Sequence, residues 1–489
     1  MNKNAGILLS TKQPSGLWSI CISIFFITFG FTTVLTTFGE YSIDVLGFSS
    51  NYATALSVGS YLFLVNFTAV AGGVMGQKYS HKKIVFLGGL YAAFGLCLIS
   101  ISNLALMGLA IYAVGTGMMI PNIYTSLSRL YSPDDPRRNA GFTLLFIFIN
   151  LGVFLNSMIS VYSTSFIGYD KSFIFSALFA TIGTVLFIKF DRNIPKQPLK
   201  IKSTDDTNLS SSDATASLLT IMVLITALIR YLLDNIILNM AVMAILSIFS
   251  IFYIFYLAYK HQYTTRKRLL GLLFLIIICL DFWFAERLTS IVFIEYSGLL
   301  LHNNIFNWSG APEDIINILS TLMITIVAII FAIYWTSKQK GQAVMTLPFL
   351  IGLSLLLTSI AFGMLWLGEQ AGIAGQAMSA STYLILAVLI MAVAKTITIP
   401  LYYGMAGKLA PREHESTLIG IMQLFIGCAG IIAIALTHHT LPHEVVIQST
   451  KYNTISFVAS GLIISLIILA ILLFSITKIW RKLLISVQS

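Results

Sequence analysis

The segment LLGLLFLIIICLDFWFAERLTSIVFIEYS, from Leu269 to Ser297, decides the fold class of this chain. It is long and apolar enough to cross a bilayer, which takes about 20 apolar residues. It nevertheless carries four charged residues, which are Asp281, Glu286, Arg287 and Glu295. A charged side chain at the bilayer centre costs at least about 2.5 kcal/mol, so such residues usually face a protein interior or a wet cavity. The segment therefore predicts a membrane protein built around a polar site.

A second apolar stretch, Leu384 to Pro400, holds Lys395 well inside it. The whole chain of 489 residues is 57% hydrophobic and only 10% charged, and its mean hydropathy is +0.88. A soluble protein of this size needs a far more polar surface. The four cysteines lie inside apolar runs without CxxC spacing or histidine partners, so we expect buried core residues and no metal site.

The chain contains fourteen candidate membrane spans in a pattern of six, two and six. A polar segment rich in Ser, Thr, Asp and Lys, residues 191–215, follows the sixth span and reads as a flexible linker. The first apolar run is too long for the apolar part of a signal peptide, so none is expected. The candidate spans are 17–38, 52–75, 84–102, 105–128, 141–163, 172–190, 216–234, 239–259, 269–298, 315–336, 344–367, 379–407, 416–437 and 453–477.

The positive charges test this span count. The net charge is +10, and all but five of the 29 Lys and Arg residues fall on one side of the membrane. Only Lys171 and Lys451 fall on the other side, while Arg230, Arg287 and Lys395 lie within spans. Positive residues mark the cytoplasmic side, so both termini are predicted to be cytoplasmic, and the basic charge indicates topology rather than nucleic-acid binding.

Six spans plus six spans is the arrangement of a two-half transporter, with substrate bound near the midplane between the halves. We therefore predict four regions. Residues 1–190 form an N-terminal six-helix bundle, 191–215 a cytoplasmic linker, 216–260 two inserted helices, and 261–489 a C-terminal six-helix bundle. The loop from Gly72 to Lys83 (GGVMGQKYSHKK) and its weaker counterpart from Trp335 to Gly341 (WTSKQKG) resemble the short basic turns of major facilitator proteins.

A longer match makes the resemblance specific. The segment PNIYTSLSRLYSPDDPRRNAGFTLLFIFINLGVFL, from Pro121 to Leu155, is similar to the proton-dependent oligopeptide transporter family of the major facilitator superfamily. Three other features also resemble that family. They are the inserted helix pair, the short motif from Phe29 to Phe31, and the segment LAPREHESTLIGIMQ from Leu409 to Gln423. The resemblance implies an all-α polytopic membrane protein of major facilitator fold, with two six-helix bundles plus two extra helices.

The departures from the family concern its charged residues. The family's first helix carries E-x-x-E-R-F, and those three charged positions fall here on Ile24, Ile27 and Thr28. The lysine of its fourth helix falls on Ile120, and the glutamate of its tenth helix on Lys395. The E-Q pair of its seventh helix falls on Glu286 and Arg287. The chain thus resembles the family in its scaffold while most of the ionisable groups are replaced.

Glu286 and Lys395 are the predicted centre of the polar site, because each lies near the middle of its span. Two alternatives stay open: the charges bind substrate and couple protons, or they form a static ion network that holds the bundle together. An amide such as Asn150 could likewise bind substrate or simply bridge helices. The candidate residues are Glu286, Lys395, Arg287, Asp281, Asn150, Asn122, Tyr124 and Asn66.

The function predicted from the sequence is secondary transport in a bacterial inner membrane, with the resemblance implying uptake of di- and tripeptides with protons. One alternative is transport or export of a less charged metabolite, and another is a membrane receptor that has kept only the fold. No P-loop, metal-ligand set or nucleophile elbow is present, so an enzyme is not expected. The expected partners are a small peptide-like substrate and the lipid bilayer, with no nucleic acid and no cofactor beyond a possible proton gradient. The oligomeric state is open.

Overall fold

The chain forms a bundle of long helices. The structure, a computed structural model, describes residues 13–49, 61–133, 135, 137–189, 211–300, 312–337, 347–374 and 376–440, together with 467, 469 and 471. No strand occurs among these residues. The helices are α1 Ser15–Asp44, α2 Tyr61–Tyr79, α3 His81–Ile99, α4 Ala105–Ser128, α5 Arg138–Ile167, α6 Tyr169–Lys189, α7 Ser211–Leu233, α8 Ile236–Lys260, α9 Tyr263–Leu300, α10 Pro312–Ser337, α11 Leu347–Ile373, α12 Ala377–Leu409 and α13 Glu415–Thr440.

Within the described part of the chain, 12 helices are long and apolar enough to cross a membrane. They coincide with twelve of the predicted spans, and α2 falls on a thirteenth, the span predicted at 52–75. The span predicted at 453–477 lies outside the described residues except for three positions. Most of the predicted linker is also outside them, but α7 begins at Ser211, earlier than predicted. Asp213 in its first turn favours this start, because an acidic group there is attracted by the helix dipole.

The inserted pair, α7 and α8, lies against both halves. Tyr79 and Tyr91 of the first half form hydrogen bonds with Ser217 and Thr226 of α7, at 3.1 and 2.9 Å. Helix α8 packs on α9 and α13 of the second half. Its outer surface exposes large apolar side chains, as expected for a helix in contact with lipid. These include Phe249, Phe252, Phe255, Tyr256 and Tyr259.

The most extensive contacts between the two halves are made by two helix pairs. Helix α2 packs on α13, and α5 packs on α10. In the second contact Phe146 and Ile147 of α5 pack in one cluster with Ile324 and Ala328 of α10. In the first contact the backbones approach so closely that a side chain on Gly73 would collide with the Ser416 carbonyl. Small residues allow such approach in membrane bundles, where dispersion and hydrogen bonds replace the hydrophobic effect.

One end of the bundle carries most of the positive charge among the described turns. The turns after α2, α4, α8 and α12 all lie at this end, which we call the basic face. It contains Lys78, Lys82, Arg129, Arg137, Lys260, Lys267, Lys408 and Arg412. Contacts between these turns, such as the Arg129 guanidinium at 3.5 Å from the Arg412 carbonyl, join the two halves there.

The close contact between α2 and α13 predicts the effect of Gly420→Ala. A Cβ at Gly420 would collide with the backbone of Ala69, whereas a Cβ at Gly363 would meet nothing within 4 Å. Both substitutions gain about 1 kcal/mol of helix propensity, but overpacking at Gly420 should cost about 1–3 kcal/mol. We expect Gly420→Ala to lower the midpoint of thermal unfolding in detergent and Gly363→Ala to maintain or raise it. Equal shifts in the two variants would contradict the close packing.

Candidate functional site

The charges predicted from the sequence meet inside the second half. The Lys395 Nζ on α12 lies 2.8 Å from the Glu286 Oε1 on α9. The other carboxylate oxygen, Oε2, lies 3.5 Å from the Arg287 Nε. The side chain of Glu286 is 10% exposed, that of Lys395 18% and that of Arg287 28%. Two cations therefore surround one carboxylate, and this trio carries a net charge of one positive unit.

The backbone of α12 is held rigidly around Lys395. Ser354 on α11 donates a hydrogen bond to the carbonyl of Ala394 at 2.9 Å, and its hydroxyl lies 2.5 Å from that of Thr398. Pro400 follows inside the same helix and lacks a backbone N–H, so the helix loses one hydrogen bond a turn after Lys395. The anchor on α11 fixes the backbone from which Lys395 reaches Glu286.

Asp281 lies on the same helix as Glu286 and Arg287. It lies five residues before Glu286 on α9, which is about 7.5 Å along the axis and about 140° around it. Its side chain is half-buried. Because α9 begins at the basic face, Asp281 lies closer to that face than Glu286 does. The side chain of Glu295 lies outside the described part of the chain.

Asn122 joins four helices near the basic face. Its Nδ2 donates to the carbonyls of Gly72 and Met118, both at 2.8 Å. Its Oδ1 lies 2.7 Å from the His81 Nδ1 and accepts from the Ser416 hydroxyl at 3.2 Å. The residue is fully buried. Each polar atom of its amide thus has protein partners, and the amide ties α4 to the α2–α3 turn and to α13.

The remaining candidates also lie at helix contacts. Asn150 is buried and its Nδ2 donates to the carbonyl of Phe146 on its own helix, at 2.8 Å. Asn66 is buried on α2 against Gly427 of α13. Tyr124 on α4 stacks on Tyr403 of α12, with ring centroids 3.9 Å apart and planes 11° from parallel. This stack spans the two halves between the Glu286–Lys395 pair and the basic face.

A second charged cluster, which we call the Glu415 cluster, was not predicted. It consists of Ser128, Arg129, Arg138 and Glu415, and it joins the first half to the start of α13. The Arg138 guanidinium donates to the Ser128 hydroxyl at 2.7 Å and to the Gly404 carbonyl at 3.1 Å. The Ser128 hydroxyl donates to the Glu415 carboxylate, whose other oxygen lies 3.7 Å from the Arg129 Nε. Glu415 is 2% exposed.

The Glu415 cluster closes the basic face between the halves. A buried carboxylate is tolerated only with close cationic and hydrogen-bonding partners. Here Ser128, Arg129 and Arg138 come from the opposite half, and Arg412 of the same half adds a further positive charge. Helix α12 crosses the cluster at Gly407, where a Cβ would collide with Ser128, Arg138 and Glu415. Any side chain at this position would push the three groups apart, so glycine is required by close approach.

The family comparison identifies the architecture. A family model described as Major Facilitator Superfamily matches residues 20–432. The chain belongs to this superfamily. Its members and the solved relatives described next are transporters, which confirms the prediction that the chain is not an enzyme.

The most similar curated relatives include the dipeptide and tripeptide permease A of Cronobacter turicensis, 25% identical over 433 residues, which cover 86% of this chain and 84% of the relative. The di-/tripeptide transporter of Lactococcus lactis is 24% identical over 437 residues, covering 84% and 86%. A crystal structure of the peptide transporter POT with sulfate has a TM-score of 0.70 at 21% identity, covering 99% of both chains. A POT family transporter with 5-aminolevulinic acid has a TM-score of 0.71 at 20% identity, covering 95% of this chain and 96% of the other.

These findings confirm the resemblance to the oligopeptide transporters and the major facilitator fold. The sequence also indicated that Glu286 and Lys395 would be partners, and they are in contact. It missed the Glu415 cluster, because Arg129 and Arg138 were considered only as evidence for topology. The missed signal was Glu415, the acidic residue directly before a predicted span, in the segment PREHESTLIG from Pro411 to Gly420.

The ion pair predicts unequal effects of single and double substitutions on stability. Glu286→Gln leaves Lys395 and Arg287 without their carboxylate, and losing one partner of a buried pair typically costs about 3–5 kcal/mol. We expect Glu286→Gln or Lys395→Ala to lower the thermal midpoint clearly and Glu286→Gln with Lys395→Met to recover most of it. Arg230→Ala, which removes an exposed pair with Asp234, is the control and should cost about 0.2–1 kcal/mol. Additive losses in the double variant would contradict the pairing.

The Glu415 cluster predicts that Gly407→Ala opens the basic face. Spin labels at the end of α4 and the start of α13 would report the distance between the halves, in a variant whose 4 native cysteines are replaced by serine. We expect Gly407→Ala to increase the population with the longer distance. Gly404→Ala on the same helix is the matched control, because a Cβ there makes only ordinary van der Waals contacts, the nearest at 3.7 Å. Identical distance distributions in the two variants would show that the cluster does not hold the face closed.

Proposed function

We propose that this protein is a secondary transporter of di- and tripeptides that works by alternating access. The observation that carries the proposal is the Glu286–Lys395 pair at 2.8 Å, between α9 and α12 of a fold shared with peptide transporters. Curated relatives named as di- and tripeptide permeases match over more than four fifths of both chains, which supports the substrate class.

The charge of the site suits a peptide carboxylate. Glu286 neutralises only one of its two neighbours, Arg287 and Lys395, so one positive charge is left for an anionic group. A zwitterionic peptide could replace the pair by offering its carboxylate to Lys395 and its amine to Glu286. This exchange loses little electrostatic energy, since each buried charge keeps a partner of opposite sign. The exchange also explains how Glu286 and Lys395 could both bind substrate even though they pair with each other when substrate is absent.

Coupling to protons would have to operate in the second half. The first six spans contain no charged residue before Lys189, so no titratable carboxylate is available at mid-membrane there. We propose Glu286 as the group that takes up the proton, because protonation would release Lys395 for the substrate carboxylate, and loss of that proton would then let Glu286 pair with the substrate amine. A ligand shifts a conformational equilibrium only through different affinities for the two states. Here the difference would come from whether Lys395 is occupied by Glu286 or by substrate.

Alternating access also requires the halves to separate at the basic face. The contacts that must break are the Glu415 cluster and the stack of Tyr124 on Tyr403. Both consist of polar or aromatic contacts that water can replace. The orientation that we propose puts this face and both termini in the cytoplasm, in the inner membrane of a bacterium, because positive residues concentrate there.

The test is uptake of a labelled dipeptide into liposomes that contain the full-length protein. We expect an inward proton gradient to increase accumulation, Lys395→Ala to reduce uptake at least tenfold, and Glu286→Gln to lose the response to the gradient. Asp234→Asn breaks the exposed Arg230–Asp234 pair and is the control, with uptake within twofold of the unmodified protein.

Three results would contradict parts of this proposal. Uptake that is equal in all variants would make the trio a static network. Uptake without a response to the gradient in the unmodified protein would remove proton coupling. Absence of uptake, together with competition by non-peptide metabolites in a binding screen, would favour a different substrate.

A further inference from the structure

Three side chains able to bind a metal gather on the basic face, outside the site described above. They are His261, in the turn between α8 and α9, and Glu413 and His414, in the turn between α12 and α13. One ring nitrogen of each histidine and one carboxylate oxygen all lie within 4.8 Å of one another. The two imidazole rings stand nearly perpendicular, at 88°, with centroids 6.0 Å apart. The two turns are distant in sequence, so the fold creates this cluster.

The histidines are oriented by hydrogen bonds from their other nitrogen. The His261 Nδ1 lies 2.8 Å from the Leu257 carbonyl oxygen, which can only accept, so Nδ1 carries the proton and Nε2 the lone pair. The His414 Nδ1 lies 3.1 Å from the Tyr253 hydroxyl, which can accept the Nδ1 proton in the same way. Metal-binding histidines in proteins characteristically donate their second N–H to a carbonyl or another acceptor, which fixes the tautomer and the ring.

The carboxylate of Glu413 and the burial of His414 suit a bound metal ion, while Lys260 and Arg412 beside them are positively charged. His414 is half-buried, and its Nε2 carries a lone pair when Nδ1 holds the proton. A neutral imidazole is the form that binds a metal. Glu413 is exposed and contributes one negative charge on a side chain that can rotate. Rotation of the Glu413 side chain can bring a carboxylate oxygen to about 2.0–2.2 Å from an ion held by the two imidazoles, which is the length of a metal–ligand bond.

We propose that His261, Glu413 and His414 form a Zn²⁺ site that joins the α8–α9 turn to the α12–α13 turn. Two imidazoles and one carboxylate are a ligand set that Zn²⁺ accepts, with water in the fourth position. The site lies at the surface of the basic face, where a metal from solution can enter. Glu415 of the cluster that closes this face follows His414 directly in the chain, so a bound ion would restrain the backbone on which Glu415 stands.

The test is Zn²⁺ binding to the full-length protein, purified with a tag that contains no histidine and treated with a chelator. Titration against a fluorescent zinc indicator should show one saturable site per chain. His261→Ala and His414→Ala should each weaken binding at least tenfold. Tyr253→Phe keeps all three ligands and removes only the orienting hydroxyl, and losses of about 10–100-fold are typical for such partners. Co²⁺ in place of Zn²⁺ should give a visible absorption band of a four-coordinate site.

The matched control is the double variant His438→Ala with His439→Ala, which removes two histidines that are neighbours in sequence and are not proposed ligands. It should bind Zn²⁺ like the unmodified protein. The thermal midpoint without metal shows whether each variant is folded, and Zn²⁺ should raise it only where the site is intact. If a histidine variant does not fold, Glu413→Gln and Tyr253→Phe still test the site. The proposal is wrong if no saturable site exists. It is also wrong if His261→Ala, His414→Ala, Glu413→Gln and Tyr253→Phe all leave Zn²⁺ binding unchanged in folded protein.

Discussion

The carboxylate of Glu286 lies within a membrane-spanning helix, and a charge there is stable only with partners close by. Lys395 and Arg287 are those partners, at 2.8 and 3.5 Å. Much of the second half follows from this requirement, because α9 and α12 must face each other at the level of the pair. The anchor of α12 on α11 through Ser354, and the proline that follows, keep Lys395 at that level.

The two halves differ in how they use polar residues. In the first half, buried amides and hydroxyls such as Asn122 and Thr33 make neutral hydrogen bonds between helices. Its most buried described charge, Arg138, lies where the halves meet at the basic face, in the Glu415 cluster. Neutral hydrogen bonds between membrane helices contribute modestly, about 0.6 kcal/mol on average, whereas breaking a buried ion pair is much more costly. The structure thus concentrates its strongest polar contacts at the pair and at the closed face.

Hydropathy predicted most of the fold, because each span must be apolar over a fixed length, and the Lys and Arg positions ordered the turns. The pairing of Glu286 with Lys395 was predictable because few charges lie within spans and each needs a partner. The Glu415 cluster was not, because Arg129, Arg138 and Glu415 stand at helix ends, where a charge can equally be solvated. The gathering of His261 with His414 was also hidden, since no spacing within one segment connects two turns that only the fold brings together.

The backbone contact of Gly73 and Gly420 with the opposite helix has a mechanical consequence. Interdigitated side chains would have to repack in discrete steps when two helices tilt, because packed interiors resist continuous deformation. Glycines have no side chains that interlock, so α2 and α13 can roll against each other while the buried area changes little. This helix pair therefore has the properties of a pivot.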